Sequence, residues 1–267
     1  MEPYGYNNSG AAGQNGQAHG GDDGWIHTDS TVRPMTPHLF RADCKAEGRN
    51  ALLGHLGIAV GASIAYLGII IAMRLLISNV LPEGNGILAT VLAELLTLFV
   101  SVFAGIYEYG LTCVFMKLQY QQEAVFSDLF LGIHENQDKL VKISLVQGGL
   151  GLLAMLPSLV ASFYAGNGAG FTAMLLLMVA GTAAVAYVSI CFYPCCYILL
   201  DYPDLTAGEV LKRSLRMMKG HKWELFMLEL SFLPLLLLAL LSFGIAVPWV
   251  FAYVRSTMAA YYRKRIG

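Results

Sequence analysis

Residues Phe171 to Leu200 read FTAMLLLMVAGTAAVAYVSICFYPCCYILL, a stretch of 30 residues without any Asp, Glu, Lys or Arg. An α-helix rises about 1.5 Å per residue, so about 20 apolar residues cross a hydrocarbon layer about 30 Å thick. A run this long and this apolar is typical of a transmembrane helix. The stretch therefore predicts that the chain lies in a lipid bilayer.

Five further long apolar runs lie on either side of this segment. The runs predict spans at Leu52 to Ser78, Ile87 to Met116, Leu140 to Tyr164, Phe171 to Leu200, Trp223 to Phe243 and Ile245 to Tyr262. Only Gly244 separates the last two, so they form either a tight hairpin or one bent element. Composition agrees, because 56% of the residues are apolar. The predicted fold class is all-α, a polytopic membrane helix bundle with about six transmembrane helices.

The distribution of basic residues predicts the orientation of these spans, because Lys and Arg are retained on the cytosolic side. Fifteen of the 17 basic residues lie on one side: fourteen before the first span, after the last, or in the connections that follow the second and fourth, and Lys142 at the start of the third span. The exceptions, Arg74 and Arg255, lie inside spans. We therefore predict a multi-pass protein of the inner, cytoplasmic cell membrane with both termini in the cytosol.

The first 35 residues differ in character from the rest of the chain. They are polar and rich in Gly, Asn and Gln. They contain no basic start followed by an apolar stretch, so they predict a disordered cytosolic tail rather than a signal peptide. Residues 36–265 form the predicted transmembrane domain.

A short amphipathic segment with a helix start precedes each odd-numbered span. Pro37 is a favoured first helical residue, Ser127 opens the second segment, and Thr206 with Glu209 makes a capping box. We expect these segments to form interfacial helices on the cytosolic surface of the membrane. The arrangement suggests candidate repeats at residues 36–126, 127–205 and 206–265.

Ionisable residues inside the spans cost about 2.5 to 3.5 kcal/mol each on insertion scales, so each needs a partner or a purpose. Counted from the cytosolic edges at about 1.5 Å per residue, Glu108, Glu229 and Arg255 lie at similar depths of about 9 to 15 Å. We predict that Arg255 pairs with Glu229 or Glu108. The pair either fixes helix packing alone or leaves one carboxylate as a cation or proton site.

The connection before the fifth predicted span has the highest density of cations. Its five basic residues are Lys212, Arg213, Arg216, Lys219 and Lys222. They either enforce topology alone or bind a partner membrane protein or anionic lipid headgroups, the latter worth about 1 kcal/mol per basic residue. The formal net charge of −1 gives no reason to expect nucleic acid as a partner.

Sequence motifs give little support to an enzyme. Cys191 and Cys195 are four residues apart on one helix, but two thiols lack the remaining ligands of a zinc site. We expect free thiols at all five cysteines, the others being Cys44, Cys113 and Cys196. The chain has no phosphate-binding loop, zinc-protease motif or nucleophile elbow. We therefore predict no catalytic residue, metal or cofactor.

Proline and glycine predict local features of the spans. Pro194 is expected to kink the fourth span, because proline removes a backbone donor. Gly57 and Gly61 form a G-x-x-x-G pair, which favours close contact between helices. The same contact is expected at the glycine cluster Gly148, Gly149 and Gly151.

The region from Asp204 to Tyr262 carries a family resemblance. Residues Ala207 to Lys222 read AGEVLKRSLRMMKGHK, and Gly244, Trp249 and Tyr253 follow. This pattern resembles a bacterial membrane-protein family known as domain of unknown function 975, over roughly residues 36–265. The resemblance implies a multi-span membrane domain and carries over no activity or catalytic residue.

Together these patterns predict a non-catalytic membrane or envelope component that contacts lipid or a partner through basic cytosolic helices. The alternative is a small transporter or channel subunit with a polar path near Glu108, Glu229 and Arg255. A transporter needs a water-accessible polar cavity around the carboxylates. A packing role needs a dry, paired arrangement.

Overall fold

A computed structural model of the chain describes residues 37–80, 87–162 and 168–266. Within these ranges every regular element is a helix. The predicted tail, residues 1–35, lies outside the described residues. The all-helical class is confirmed for the part of the chain that the structure describes.

The elements follow the chain as eleven α-helices and one short 3₁₀ helix in the described ranges. Their bounds are α1 Pro37–Leu52, α2 Leu56–Val80, α3 Ile87–Gln119, the 3₁₀ helix Phe126–Phe130, α4 Leu131–His134, α5 Gln137–Ser162, α6 Gly168–Phe192, α7 Cys195–Asp201, α8 Ala207–Met217, α9 Lys222–Leu230, α10 Leu233–Leu241 and α11 Val247–Ile266.

Five helical segments among the described residues are long and apolar enough to cross a membrane. They are Leu56–Asn79, Val91–Gln119, Gln137–Ala161, Gly170–Asp201 and Lys222–Leu241. These segments correspond to the first five predicted spans, and their length and composition are those of a multi-pass membrane protein. Helix α11 is outside this group because it carries Arg255 and three terminal cations, so the sixth span stays a prediction.

Two breaks divide predicted spans, and a third separates the last two. Helix α6 ends at Phe192 and α7 begins at Cys195, so the kink predicted at Pro194 is confirmed. Helices α9 and α10 meet at Ser231, and Pro234 lies in the first turn of α10. Helices α10 and α11 are separate, because the chain reverses at Phe243 and Gly244 with φ of 54° and 83°.

The three predicted short helices start close to the expected residues. Helix α1 begins at Pro37, and α8 begins after the capping box of Thr206 and Glu209. The middle segment is a 3₁₀ helix followed by α4, and its N-cap is Val125 rather than Ser127. Helix α1 ends at Leu52, so α2 starts four residues later than the predicted first span.

Helix α11 lies at the centre of the most buried region. Its residues 256–262 are all buried. Helix α1 packs antiparallel along it, since the ring of Phe40 lies 5.8 Å from that of Tyr261 and the Gly48 carbonyl accepts a hydrogen bond from Ser256. Helix α3 packs on another side, where Gln119 donates to the Ser256 carbonyl at 2.9 Å. The core is therefore built on α1, α3 and α11.

Other helical segments expose large apolar side chains. Most side chains of α6 between Phe171 and Val188 are exposed, and so are those of α10. The turn after α10 places Phe243 at 97% exposure. In water, such an apolar surface would stay exposed at a large cost in free energy, whereas lipid solvates it at little cost. These segments are the surfaces that suit hydrocarbon.

The glycine contacts differ from the prediction. A Cβ on Gly57 or Gly61 would meet nothing within 4 Å, so the expected close contact at this G-x-x-x-G pair is wrong for these helices. In the glycine cluster of α5, only Gly148 approaches a neighbour closely. The tightest approaches to backbone lie at Gly110 of α3, against the Leu129 carbonyl, and at Gly132 of α4, against the Ile106 carbonyl, because the 3₁₀ helix and α4 fold back along α3.

Candidate functional site: a polar junction and a basic face

Helices α3 and α11 bring two of the predicted ionisable residues together. The Nη1 atom of Arg255 donates to Oε1 of Glu108 at 2.7 Å. Of the two glutamates considered in the sequence, the structure places Glu108 against this arginine. The pair removes most of the cost of holding either charge among apolar helices.

Two aromatic rings complete this site. The guanidinium carbon of Arg255 lies 5.0 Å from the ring centroid of Phe251 and 6.0 Å from that of Tyr66. The two rings stack with centroids 5.8 Å apart. Attraction between a cation and an aromatic face adds to the ion pair. We call these four residues, Tyr66, Glu108, Phe251 and Arg255, the polar junction.

Glu229 is not part of the polar junction. It lies exposed on α9, and no ion pair within the described ranges joins it to Arg255. The predicted layer of three ionisable residues is therefore one bonded pair and one separate carboxylate.

The C-terminal end of α11 contains further ion pairs that the sequence analysis missed. Arg263 pairs with Glu47, and Arg265 pairs with Glu224. Lys264 pairs with Asp43 and lies 2.8 Å from Glu47. The sequence signal was the i, i+4 spacing of Asp43 and Glu47, which puts both carboxylates on one face of α1. These contacts neutralise the cationic end of the chain.

Helix α8 is amphipathic and docks through its small and apolar face. Ala207, Val210, Ser214 and Met218 are buried. The Ser214 hydroxyl donates to the Cys191 carbonyl at 2.7 Å, which satisfies an acceptor near the end of α6. This docking leaves the opposite side of α8 on the surface.

Four of the five predicted cations lie on that exposed side. They are Lys212, Arg213, Arg216 and Lys219, and no carboxylate in the described part of the chain forms an ion pair with any of them. Arg213 stacks over Tyr202 at 4.0 Å from the ring centroid. We call these four residues the basic face.

The fifth cation, Lys222, belongs to a different contact. Its Nζ atom donates to the Tyr187 hydroxyl at 2.6 Å and lies 4.4 Å from the centroid of the same ring. The contact ties the start of α9 to α6. Lys222 therefore binds the protein itself and lies apart from the basic face.

A complete capping box fixes the start of α8. The Thr206 amide donates to Glu209 Oε2 at 2.9 Å, and the Glu209 amide donates to Thr206 Oγ1 at 3.4 Å. Hydrogen bonds from the Thr206 backbone and hydroxyl hold the pKa of Glu209 below its ordinary value. The carboxylate therefore stays ionised at neutral pH and caps the helix.

The thiols and acidic groups do not form a reactive centre in the described ranges. No group of three or more His, Cys, Asp or Glu side chains there could hold a metal ion. All five cysteines are free. Burial raises the pKa of Cys44 to about 11, so its thiol is protonated at neutral pH and is a poor nucleophile.

A family model supplies the relation to other proteins. The model for the protein family of unknown function DUF975 matches residues 39–266. The chain belongs to the DUF975 family. No curated protein and no solved structure matches the chain. The DUF975 region includes both the polar junction and the basic face, so both are features of the family domain in this chain.

Proposed function

We propose that this DUF975 protein is a non-catalytic component of the cell membrane or envelope that binds anionic lipid headgroups through the basic face of α8. The observation that carries the proposal is that four exposed cations have no carboxylate partner among the residues that the structure describes. Cations on α11, in contrast, are paired within the protein. An unpaired cationic surface attracts anions from outside the protein.

The arrangement of the basic face suits a membrane surface. Lys212 and Arg216 are four residues apart and so lie on one line along α8, Arg213 lies beside them, and Lys219 follows in the turn after the helix ends at Met217. Each cation near an anionic surface contributes about 1 kcal/mol to binding. The helix start and its buried face hold the four charges in place, which reduces the entropy lost on binding.

Apolar groups beside the basic face support the same orientation. Leu215 is exposed on α8, and Trp223 at the start of α9 is 68% exposed. Tryptophan is enriched at the boundary between lipid and water, and leucine enters the upper acyl region. A helix with cations and exposed apolar groups side by side fits the headgroup layer.

Energy transfer from Trp223 to a labelled lipid tests the proposal. The full chain with Trp25→Phe and Trp249→Phe is reconstituted in phosphatidylcholine vesicles that contain a little dansyl-labelled phosphatidylglycerol. We expect transfer above that measured with dansyl-labelled phosphatidylcholine, and we expect salt to reduce the difference.

The decisive variant replaces Lys212, Arg213, Arg216 and Lys219 with Gln. Loss of four charges should lower the preference for phosphatidylglycerol by at least about tenfold, because about 1.4 kcal/mol corresponds to tenfold in binding. Lys142→Gln, an exposed cation on α5, is the matched control. An unchanged lipid preference in the fourfold variant would refute the proposal.

The polar junction supports a second candidate, a small transporter or channel subunit. The observation in its favour is that the Glu108 side chain is 38% exposed although it is paired with Arg255. A carboxylate open on one side can accept a proton or cation. Flux of protons or small cations into vesicles that contain the protein, with loss of flux in Glu108→Gln, would establish this candidate. Equal flux in both proteins would exclude a path through Glu108.

A further inference from the structure

Helices α1, α2 and α11 enclose an apolar groove with a volume of about 230 Å³. Its wall includes Leu52, Leu56, Val60 and Trp249, and Arg49 is the charged residue in that wall. The turn between α1 and α2, where Gly54 has a φ of 91°, separates the two helices beside it. We propose that this groove holds one acyl chain of an anionic phospholipid whose phosphate binds Arg49.

The size and openness of the groove fit a segment of a single acyl chain. Pockets for drug-sized ligands measure about 300 to 1,000 Å³, so this groove is too small for a whole lipid. Trp249 is 49% exposed and Leu56 is also exposed, so the groove opens on the protein surface. A chain segment can therefore enter sideways from the bilayer.

The charge in the wall of the groove selects the headgroup. Arg49 is exposed, and no ion pair within the described residues engages it. This separates it from Arg255 and Arg263, which carboxylates neutralise. Arginine presents a planar fork of donors that matches two phosphate oxygens. A phosphate bound at Arg49 would neutralise this guanidinium, which forms no ion pair among the described residues.

The position along the chain agrees with this assignment. Arg49 precedes α2, whereas Leu56 and Val60 lie within its first two turns. A lipid with its phosphate at Arg49 would therefore extend its acyl chain along the start of the first membrane helix. The groove uses α1, α2 and α11, so it is independent of the basic face on α8.

Trp249 reports occupancy of the groove directly. In the full chain with Trp25→Phe and Trp223→Phe, its fluorescence is followed in phosphatidylcholine nanodiscs as lipid with brominated acyl chains is added. Brominated phosphatidylcholine measures random contact. We expect brominated phosphatidylglycerol to reach half-maximal quenching at an about tenfold lower mole fraction, as one charge-assisted contact provides.

Two variants locate the site. Arg49→Gln should bring the phosphatidylglycerol curve onto the phosphatidylcholine curve, and Leu56→Phe should reduce quenching by filling the groove. Arg41→Gln, another cation on α1 that does not line the groove, should leave quenching unchanged. Equal curves for the two lipids in the parent protein, or an unchanged preference in Arg49→Gln, would overturn the proposal. Loss of all four charges of the basic face should leave Trp249 quenching intact.

Discussion

The cations of α11 and those of α8 have opposite surroundings. On α11, Arg255, Arg263 and Arg265 each contact a glutamate from another helix. On α8 and in the turn that follows it, the four cations of the basic face have no carboxylate partner in the described part of the chain. The first group ties helices together, whereas the second is available to groups outside the protein.

The difference also predicts what mutation will do. Removing one member of a buried ion pair leaves an uncompensated charge. The resulting loss of stability is larger than the net stability that the intact pair provides. Removing an exposed, unpaired cation changes stability little and changes attraction for anions instead. Variants on α11 should therefore alter folding, and variants on α8 should alter binding.

The largest effect is expected for Arg255→Met in the polar junction. Glu108 would remain among apolar helices without its partner, and we expect a loss of about 3 kcal/mol, the lower end for broken buried pairs because Glu108 is partly exposed. The measurement is unfolding in mixed detergent micelles. The double variant with Glu108→Gln should recover most of this loss, and a stable single variant would show that the pair is unimportant for folding.

The packing of the 3₁₀ helix against α3 should be nearly as sensitive to substitution. In Gly110→Ala, the added methyl group would collide with the backbone carbonyl of Leu129, and we expect a loss of about 1 to 3 kcal/mol from overpacking. The same unfolding assay measures it. Gly57→Ala is the matched control, since a Cβ there meets open space. Equal effects at both positions would contradict the contact between the 3₁₀ helix and α3.

These two glycines show what sequence could predict. Apolar length identified five membrane helices, because the bilayer thickness acts locally on each segment. Pro194 marked a break for an equally local reason. Contact between helices is not local: Gly57 and Gly61 match a packing motif but face open space, whereas Gly110 matches none and is tightly packed. The need for glycine at position 110 arises from the path of residues 126–134, which pass close to the α3 backbone.

The candidate site divides in the same way. The energetic cost of a charge in the membrane marked Glu108, Glu229 and Arg255, and charge density marked five cations up to Lys222, so the sequence predicted larger sets than the structure brings together. The choice of Glu108 over Glu229 depends on which helix lies beside α11, which no spacing in the sequence gives. The length of α11 suggested a sixth span, but its polar end packs against α1.

A smaller effect is expected at the start of α8. Thr206→Ala removes the side-chain cap and should destabilise the helix by about 1 kcal/mol, seen as faster amide hydrogen exchange between Val210 and Met217. Ser127→Ala is the control, because Val125 rather than Ser127 is the N-cap of its helix. Equal exchange in Thr206→Ala and the parent protein would show that docking alone holds α8.

The capping box also gives α8 a defined pH dependence. Glu209 has a lowered pKa in the folded protein because Thr206 donates hydrogen bonds to its carboxylate. Its contribution to stability is therefore fully present above the ordinary pKa of 4.5 and is lost as the pH falls through the lower folded value. Exchange in α8 should not change between neutral pH and pH 4.5 once corrected for the intrinsic rate.

The smallest effect is expected for Glu229→Gln. Glu229 forms no ion pair with Arg255 in the described ranges, so the substitution breaks no such contact and should lower stability by less than about 0.5 kcal/mol. Unfolding of Glu229→Gln beside Glu108→Gln gives the comparison. If Glu229→Gln were the more damaging of the two, Arg255 would have to exchange partners between α3 and α9. The ion pair of the polar junction would then be one of two alternatives, and the cations of α11 could no longer be described as fixed in one set of pairs.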